Sequence, residues 1–187
     1  MGSSMPDQIA EHQRCVASVQ AQVSLLEALA DRLVSCFGAG GLLYLFGNGG
    51  SAADAQHIAA ELVGRLKRDR KALPAVALTT DTSNLTAISN DTGFENVFAR
   101  QIEALVRPND IVWTLSVSGR SVNIIRALSQ ARRIGAYRVG FTGRSGGDFV
   151  ELCDVCFRVD HQASDRVQEM HALAYHLVCD RVEAAYR

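Results

Sequence analysis

Between residues 7 and 37, apolar side chains return at every third or fourth position: Val16, Val19, Val23, Leu26, Leu29, Leu33 and Phe37. That spacing puts them on one broad face of a long N-terminal helix over 7–37, which Gly38-Ala39-Gly40-Gly41 stops. Residues 42–46 (Leu-Leu-Tyr-Leu-Phe) then form a continuous apolar run, as expected of a strand buried on both faces. Further short apolar runs lie at 75–79, 111–115, 137–142 and 155–159. The stretches between and after them read as helices near 52–66, 83–90, 95–106, 121–135 and 165–186. Strands alternating with helices predict an α/β fold: a five-stranded parallel sheet with helices on both faces, a Rossmann-like αβα sandwich. In such sheets ligands bind beyond the carboxyl ends of the strands.

Composition narrows the picture. At 187 residues and 48% hydrophobic, the chain supports one domain spanning 1–187 with a real core. Residues 1–6 read as disordered or as a remnant of expression. A net charge of −1 argues against broad attraction to nucleic acid or to an anionic membrane. No apolar run approaches the roughly 20 residues of a membrane-crossing helix, and the N-terminus lacks the pattern of a signal peptide. The five cysteines, Cys15, Cys36, Cys153, Cys156 and Cys179, read as reduced and mostly buried thiols of a cytoplasmic protein. The CxxC spacing of Cys153 and Cys156 runs into an apolar strand without a second pair, so it reads as structural rather than metal-binding.

Candidate chemistry sits at the strand ends. Gly47-Asn48-Gly49-Gly50-Ser51 follows the first strand and opens a helix, where free N–H groups and the helix dipole favour an anion. It is neither a dinucleotide fingerprint nor a Walker loop, and alone it reads equally well as a structural turn. Ser116-Val117-Ser118-Gly119-Arg120-Ser121 follows the third strand and offers three hydroxyls at another helix start, a neutral cradle for a phosphate. The plainer reading makes Ser121 a helix cap and the other serines turn residues. On the helix after the first turn, His57 and Glu61 are four apart and share a face. Asp165, Gln168, His171 and His176 lie on the last helix among apolar residues, where a lone histidine is most often a core residue. The basic run 65–71 reads as a solvated helix end, with Arg65 alone kept for the site.

Several separated segments together resemble the phosphoheptose isomerase family of SIS-domain proteins. They are residues 47–57 (GNGGSAADAQH), 60–65 (AELVGR), Asn90-Asp91, the serine loop 116–121, and 166–171 (RVQEMH) with His176. The resemblance implies a cytoplasmic homotetramer with active sites at subunit interfaces. It also implies interconversion of sedoheptulose 7-phosphate and glycero-manno-heptose 7-phosphate through an enediol. Ser51, Ser116, Ser118 and Ser121 would hold the phosphate, with Val117 in the same loop. Asn48, Gly49, Gly50, Asn90 and Asp91 would line the sugar, with Arg65, Asp165 and Gln168 close by. Glu61 would be the general base and His176 its acid–base partner. His57, Glu61, Gln168 and His176 match the ligands of a zinc ion, one per subunit, that some members carry. Val117 and Arg120 depart from the family's usual Thr and Asn, which bears on the substrate more than on the reaction class. The rival reading is a non-catalytic relative that keeps the fold and binds a replication initiator; it lacks a Glu and a His where this chain has Glu61 and His176. An isomerase of another sugar phosphate, or one serving antibiotic rather than envelope heptose synthesis, is the second alternative.

Overall fold

Each apolar run of the chain becomes a strand of one parallel sheet. The computed structural model describes residues 4–186. Its strands are β1 (Leu43–Gly47), β2 (Ala75–Ala77), β3 (Ile111–Ser116), β4 (Tyr137–Thr142) and β5 (Val155–Arg158), in the order β2-β1-β3-β4-β5. All neighbours pair in parallel, with Leu43 opposite both Ala75 and Ile111, and Ile111 opposite Tyr137.

Side chains alternate across the sheet, so the strands feed two cores. Leu43, Leu45, Ile111, Trp113, Leu115, Val139 and Phe141 face one of them. That core is closed by α1 (Met5–Gln20), α2 (Val23–Gly38), α3 (Gly50–Val63) and α8 (Ser164–Ala184). Tyr44, Phe46 and Val112 face the other, closed by α5 (Val97–Leu105), α6 (Val122–Ile134) and the single turn α7 (Phe149–Leu152). Leu85 and Ile88 bring α4 (Thr82–Thr92) against its margin, and a short 3₁₀ turn, Phe94–Asn96, leads into α5. Among the described residues no helix is long and apolar enough to cross a membrane.

Three expectations need correction. The helix expected over 7–37 is two helices, broken at Ala21 and Gln22. The Gln22 amide explains the break: its Nε2 donates to the Arg158 carbonyl at 2.7 Å, and its Oε1 accepts the Arg158 N–H at 3.1 Å. The side chain thus substitutes for a neighbouring strand at the open edge of β5. Residues 1–3 lie outside the described residues, but Ser4 is no disordered remnant. It caps α1 in a reciprocal box with Asp7, and Met5-Pro6 form the first turn.

The basic run is not a solvated helix end either. Glu183, buried on α8, accepts the N–H groups of Leu66, Lys67 and Arg68 at 2.9 to 3.0 Å. Burial would raise its carboxyl, yet these amides and Arg70 outweigh that and hold it below the usual carboxylate range. The buried Arg70 guanidinium donates to the carbonyls of Glu61, Leu62, Gly64 and Lys71, satisfying the C-terminal end of α3. Arg65, Lys67 and Lys71 are exposed, so the solvated reading holds for part of the run, whereas Arg65, kept for the site, faces solvent in this chain.

After β1 the chain runs outward to β2 and then crosses back to β3. The reversal leaves a crevice between the carboxyl ends of β1 and β3, where an open α/β sheet binds its ligand. Both turns singled out in the sequence sit there.

Candidate active site

The crevice is a half-open cavity of about 510 Å³. The β1–α3 turn contributes Asn48 and Ser51, and the β3–α6 turn contributes Ser116, Val117, Ser118, Arg120 and Ser121. Gly49 precedes α3 at φ 56°, a left-handed conformation that suits glycine, and the Ser51 and Ala52 N–H groups close the turn onto the Asn48 and Gly49 carbonyls at 3.0 Å. Gly119, at φ 63°, packs so closely on the Gly146 carbonyl that any side chain would collide with it. Ser121 stands at the N-cap of α6 but makes no side-chain cap bond, so its hydroxyl is not spent on the helix. The capping reading of Ser121 therefore fails in its simplest form. Ser118 accepts the Arg120 N–H through Oγ at 3.3 Å, and Thr142 fastens the turn by donating to the Ser116 carbonyl at 2.7 Å. Serine hydroxyls at the starts of two helices around one cavity have the chemistry to receive a phosphate dianion.

A second cluster lies further along α3 and α8. His57 and His176 face each other through Nε2 at 3.0 Å, and Glu61 Oε1 is 3.2 Å from His57 Nε2. The three donor atoms all lie within 4.8 Å of one another. Two imidazole nitrogens at 3.0 Å need a proton or a cation between them. Glu61 Oε2 is buried without a hydrogen bond, a further atom calling for a proton or cation. Zinc bonds of about 2.0–2.2 Å set tetrahedral donor atoms about 3.3–3.6 Å apart, close to the 3.0 and 3.2 Å between His57 and its two neighbours. The residues present fit a zinc ion. Ser51 and His57 are six residues apart on α3, about 9 Å along the axis at 1.5 Å per residue. The cradle and the histidine–carboxylate cluster are thus neighbours along α3 without merging.

The remaining expected residues divide. Gln168 lines the cavity, with its amide against Gly50 where a side chain would collide. Eight residues separate it from His176, about 12 Å along α8. Arg65, Asn90, Asp91 and Asp165 do not line the cavity of this chain. Asn90 donates to its neighbour Asp91 at 2.9 Å, and Asp165 sits 3.2 Å from Arg166. His171 follows the core reading: it is fully buried against Phe141 and Phe157, and burial pushes its imidazole down to about 4, the Thr142 backbone opposing weakly.

Sequence reasoning missed other residues here. Ser145, His161, Gln162 and Ser164 also line the cavity. The run Gly143-Arg144-Ser145-Gly146-Gly147 after β4 had the same strand-end glycine–serine signature and was legible on that ground. Tyr175 packs at 4.6 Å from the His176 ring and 5.7 Å from the His57 ring, and donates to Asp54 Oδ1 at 3.3 Å. Burial raises the Asp54 carboxyl, with Tyr175 and the two histidines opposing. Asp54 and Tyr175 carried no signal beyond their place on the right helices. The cysteines are free; Cys15, Cys36 and Cys179 are buried, while Cys153 and Cys156 are half-buried.

A parallel α/β sheet with serine and glycine turns at its switch point defines a class, and the SIS domain family model matches residues 9–143. A phosphoheptose isomerase of Roseiflexus sp. is 54% identical over 166 residues, covering 89% of this chain and 84% of that protein. One from Aquifex aeolicus is 47% identical, covering 89% and 91%. The structure of phosphoheptose isomerase from Neisseria gonorrhoeae superposes with a TM-score of 0.90 at 39% identity, covering 96% of both chains. That from Francisella tularensis gives 0.85 at 32% identity, covering 96% and 98%. The chain belongs to the phosphoheptose isomerase family of SIS-domain proteins, which are sugar-phosphate isomerases.

Proposed function

We propose that the chain interconverts D-sedoheptulose 7-phosphate and D-glycero-D-manno-heptose 7-phosphate. The observation that carries this reading is the grouping of His57, Glu61 and His176 one short span along α3 from a hydroxyl-lined anion cradle. An open-chain seven-carbon sugar has its phosphate at one end and its reacting carbons at the other, which matches that division. Phosphate in the cradle delivers C1 and C2 toward the cluster. Glu61 takes the proton from C1 of the ketose, the C2 carbonyl oxygen gains a proton, and an enediol forms. Return of a proton to C2, with loss of the O1 proton, gives the aldose. His176 serves as the acid–base partner at the oxygens. A zinc ion would be held by His57, Glu61 and His176 and would polarise the substrate oxygens; Gln168, about 12 Å along α8 from His176, would reach that ion only from a neighbouring subunit.

The tetrameric assembly and cytoplasmic setting belong to the same reading. Arg65, Asn90, Asp91 and Asp165 lie outside the cavity of one chain, and subunit association would bring them to a neighbouring site. Turnover of sedoheptulose 7-phosphate by the purified protein tests the proposal. Glu61→Gln should remove turnover by at least 10²-fold while the melting temperature holds. No turnover by the wild-type chain, with or without added zinc, would leave the initiator-binding alternative standing.

A further inference from the structure

Asn123 lies in the first turn of α6 and is only 4% exposed, yet it does not line the cavity. Its Nδ2 donates to Asn48 Oδ1 at 2.8 Å, and Asn48 Nδ2 donates back to Asn123 Oδ1 at 2.9 Å. The two amides close a ring of reciprocal hydrogen bonds across 75 residues of chain. The ring joins the β1–α3 turn to the start of α6, the two halves of the cradle. A reciprocal amide pair on its own can be turned over at both ends together, because carboxamide oxygen and nitrogen exchange places. Here that freedom is gone. The Ile124 N–H reaches Asn123 Oδ1 at 3.0 Å, so that atom must be the oxygen. The identity passes across the ring and fixes which atom of Asn48 donates. Each Asn48 polar atom spends one of its two bonds on Asn123, leaving one N–H and one lone pair. The Asn48 carbonyl also receives the Ser51 N–H at 3.0 Å, so holding Asn48 holds the turn that carries Ser51.

We propose that Asn123 is a positioning residue for phosphate binding. Acting through Asn48, it sets the separation of the two anion-binding turns and the donor order that Asn48 presents to the cavity. The inference rests on the cradle of the proposed function, but not on which sugar is attached to the phosphate.

The test measures the inhibition constant or dissociation constant of inorganic phosphate beside KM and kcat, for Asn48→Ala, Asn123→Ala and the double variant. Asn123→Ala should weaken phosphate and raise KM together by about tenfold, the scale of one or two lost hydrogen bonds. The fall in kcat should be smaller than the rise in KM. Because Asn123 acts through Asn48, the double variant should bind phosphate no worse than Asn48→Ala alone. Asn123→Asp guards against a folding defect, since a carboxylate suits a helix start and can still accept from Ile124 and Asn48. Its second oxygen faces Asn48 Oδ1 without a proton, so half the ring is lost and phosphate should again bind more weakly. Wild-type phosphate affinity in both single Asn123 variants overturns the inference, as do multiplicative losses in the double variant or no phosphate binding by the wild-type chain. Weakened phosphate binding in a protein that does not turn over the seven-carbon sugar would retain the inference and reject the substrate.

Discussion

At the scale of single residues, the two helical histidine environments show how burial separates roles. His57 is 46% exposed and sits with Glu61 and His176, whereas His171, one face round α8, is sealed in the core. Both looked alike in the chain, because helical spacing says which residues share a face but not which face meets the sheet. The His171 imidazole stays neutral to about 4, while an unfolded histidine takes a proton near 6.5. Between those values the unfolded chain binds the extra proton, so its stability contribution is intact above 6.5 and falls as pH drops toward 4. The loss should be on the order of 3 kcal/mol by pH 4. Urea midpoints at pH 7 and pH 5 should differ less in His171→Leu than in the wild type; an unchanged difference would remove His171 as the cause.

At the scale of elements, every strand and nearly every helix was legible from apolar periodicity, because a sheet buried on both faces leaves unbroken apolar runs. The break at Ala21-Gln22 was not, since both residues tolerate a helix and its cause is a contact with Arg158, 136 positions away. Gln22→Ala removes both bonds to the β5 edge and should cost about 1–2 kcal/mol in denaturant unfolding. No loss would mean the break has another origin. The basic run 65–71 departs from its local reading for the same kind of reason: the buried acceptor of its backbone, Glu183, comes more than a hundred residues later. Local charge said solvent, and tertiary packing turned Arg70 inward to finish the helix that bears Glu61.

At the scale of the whole molecule, both strand-end turns were legible as candidate anion sites from glycine and serine spacing, and the sheet's switch point places their residues around one cavity. The Asn48–Asn123 ring and the Asp54–Tyr175 contact were beyond reach, because each depends on how separate elements meet. Apolar side chains at Met5, Ile9, Val23 and Leu177 remain exposed on the helices of one face. If a tetramer covers that face, light scattering at micromolar concentration should give four times the chain mass; a monomer would contradict the assembly proposed above. The central claim is that cradle and histidine–carboxylate cluster are two ends of one substrate site. A crystal structure of Glu61→Gln with sedoheptulose 7-phosphate tests it most directly. Phosphate should lie among Ser51, Ser116, Ser118 and Ser121, with C1 and C2 beside position 61 and His176. A phosphate bound elsewhere, or reacting carbons pointing away from both residues, would contradict it.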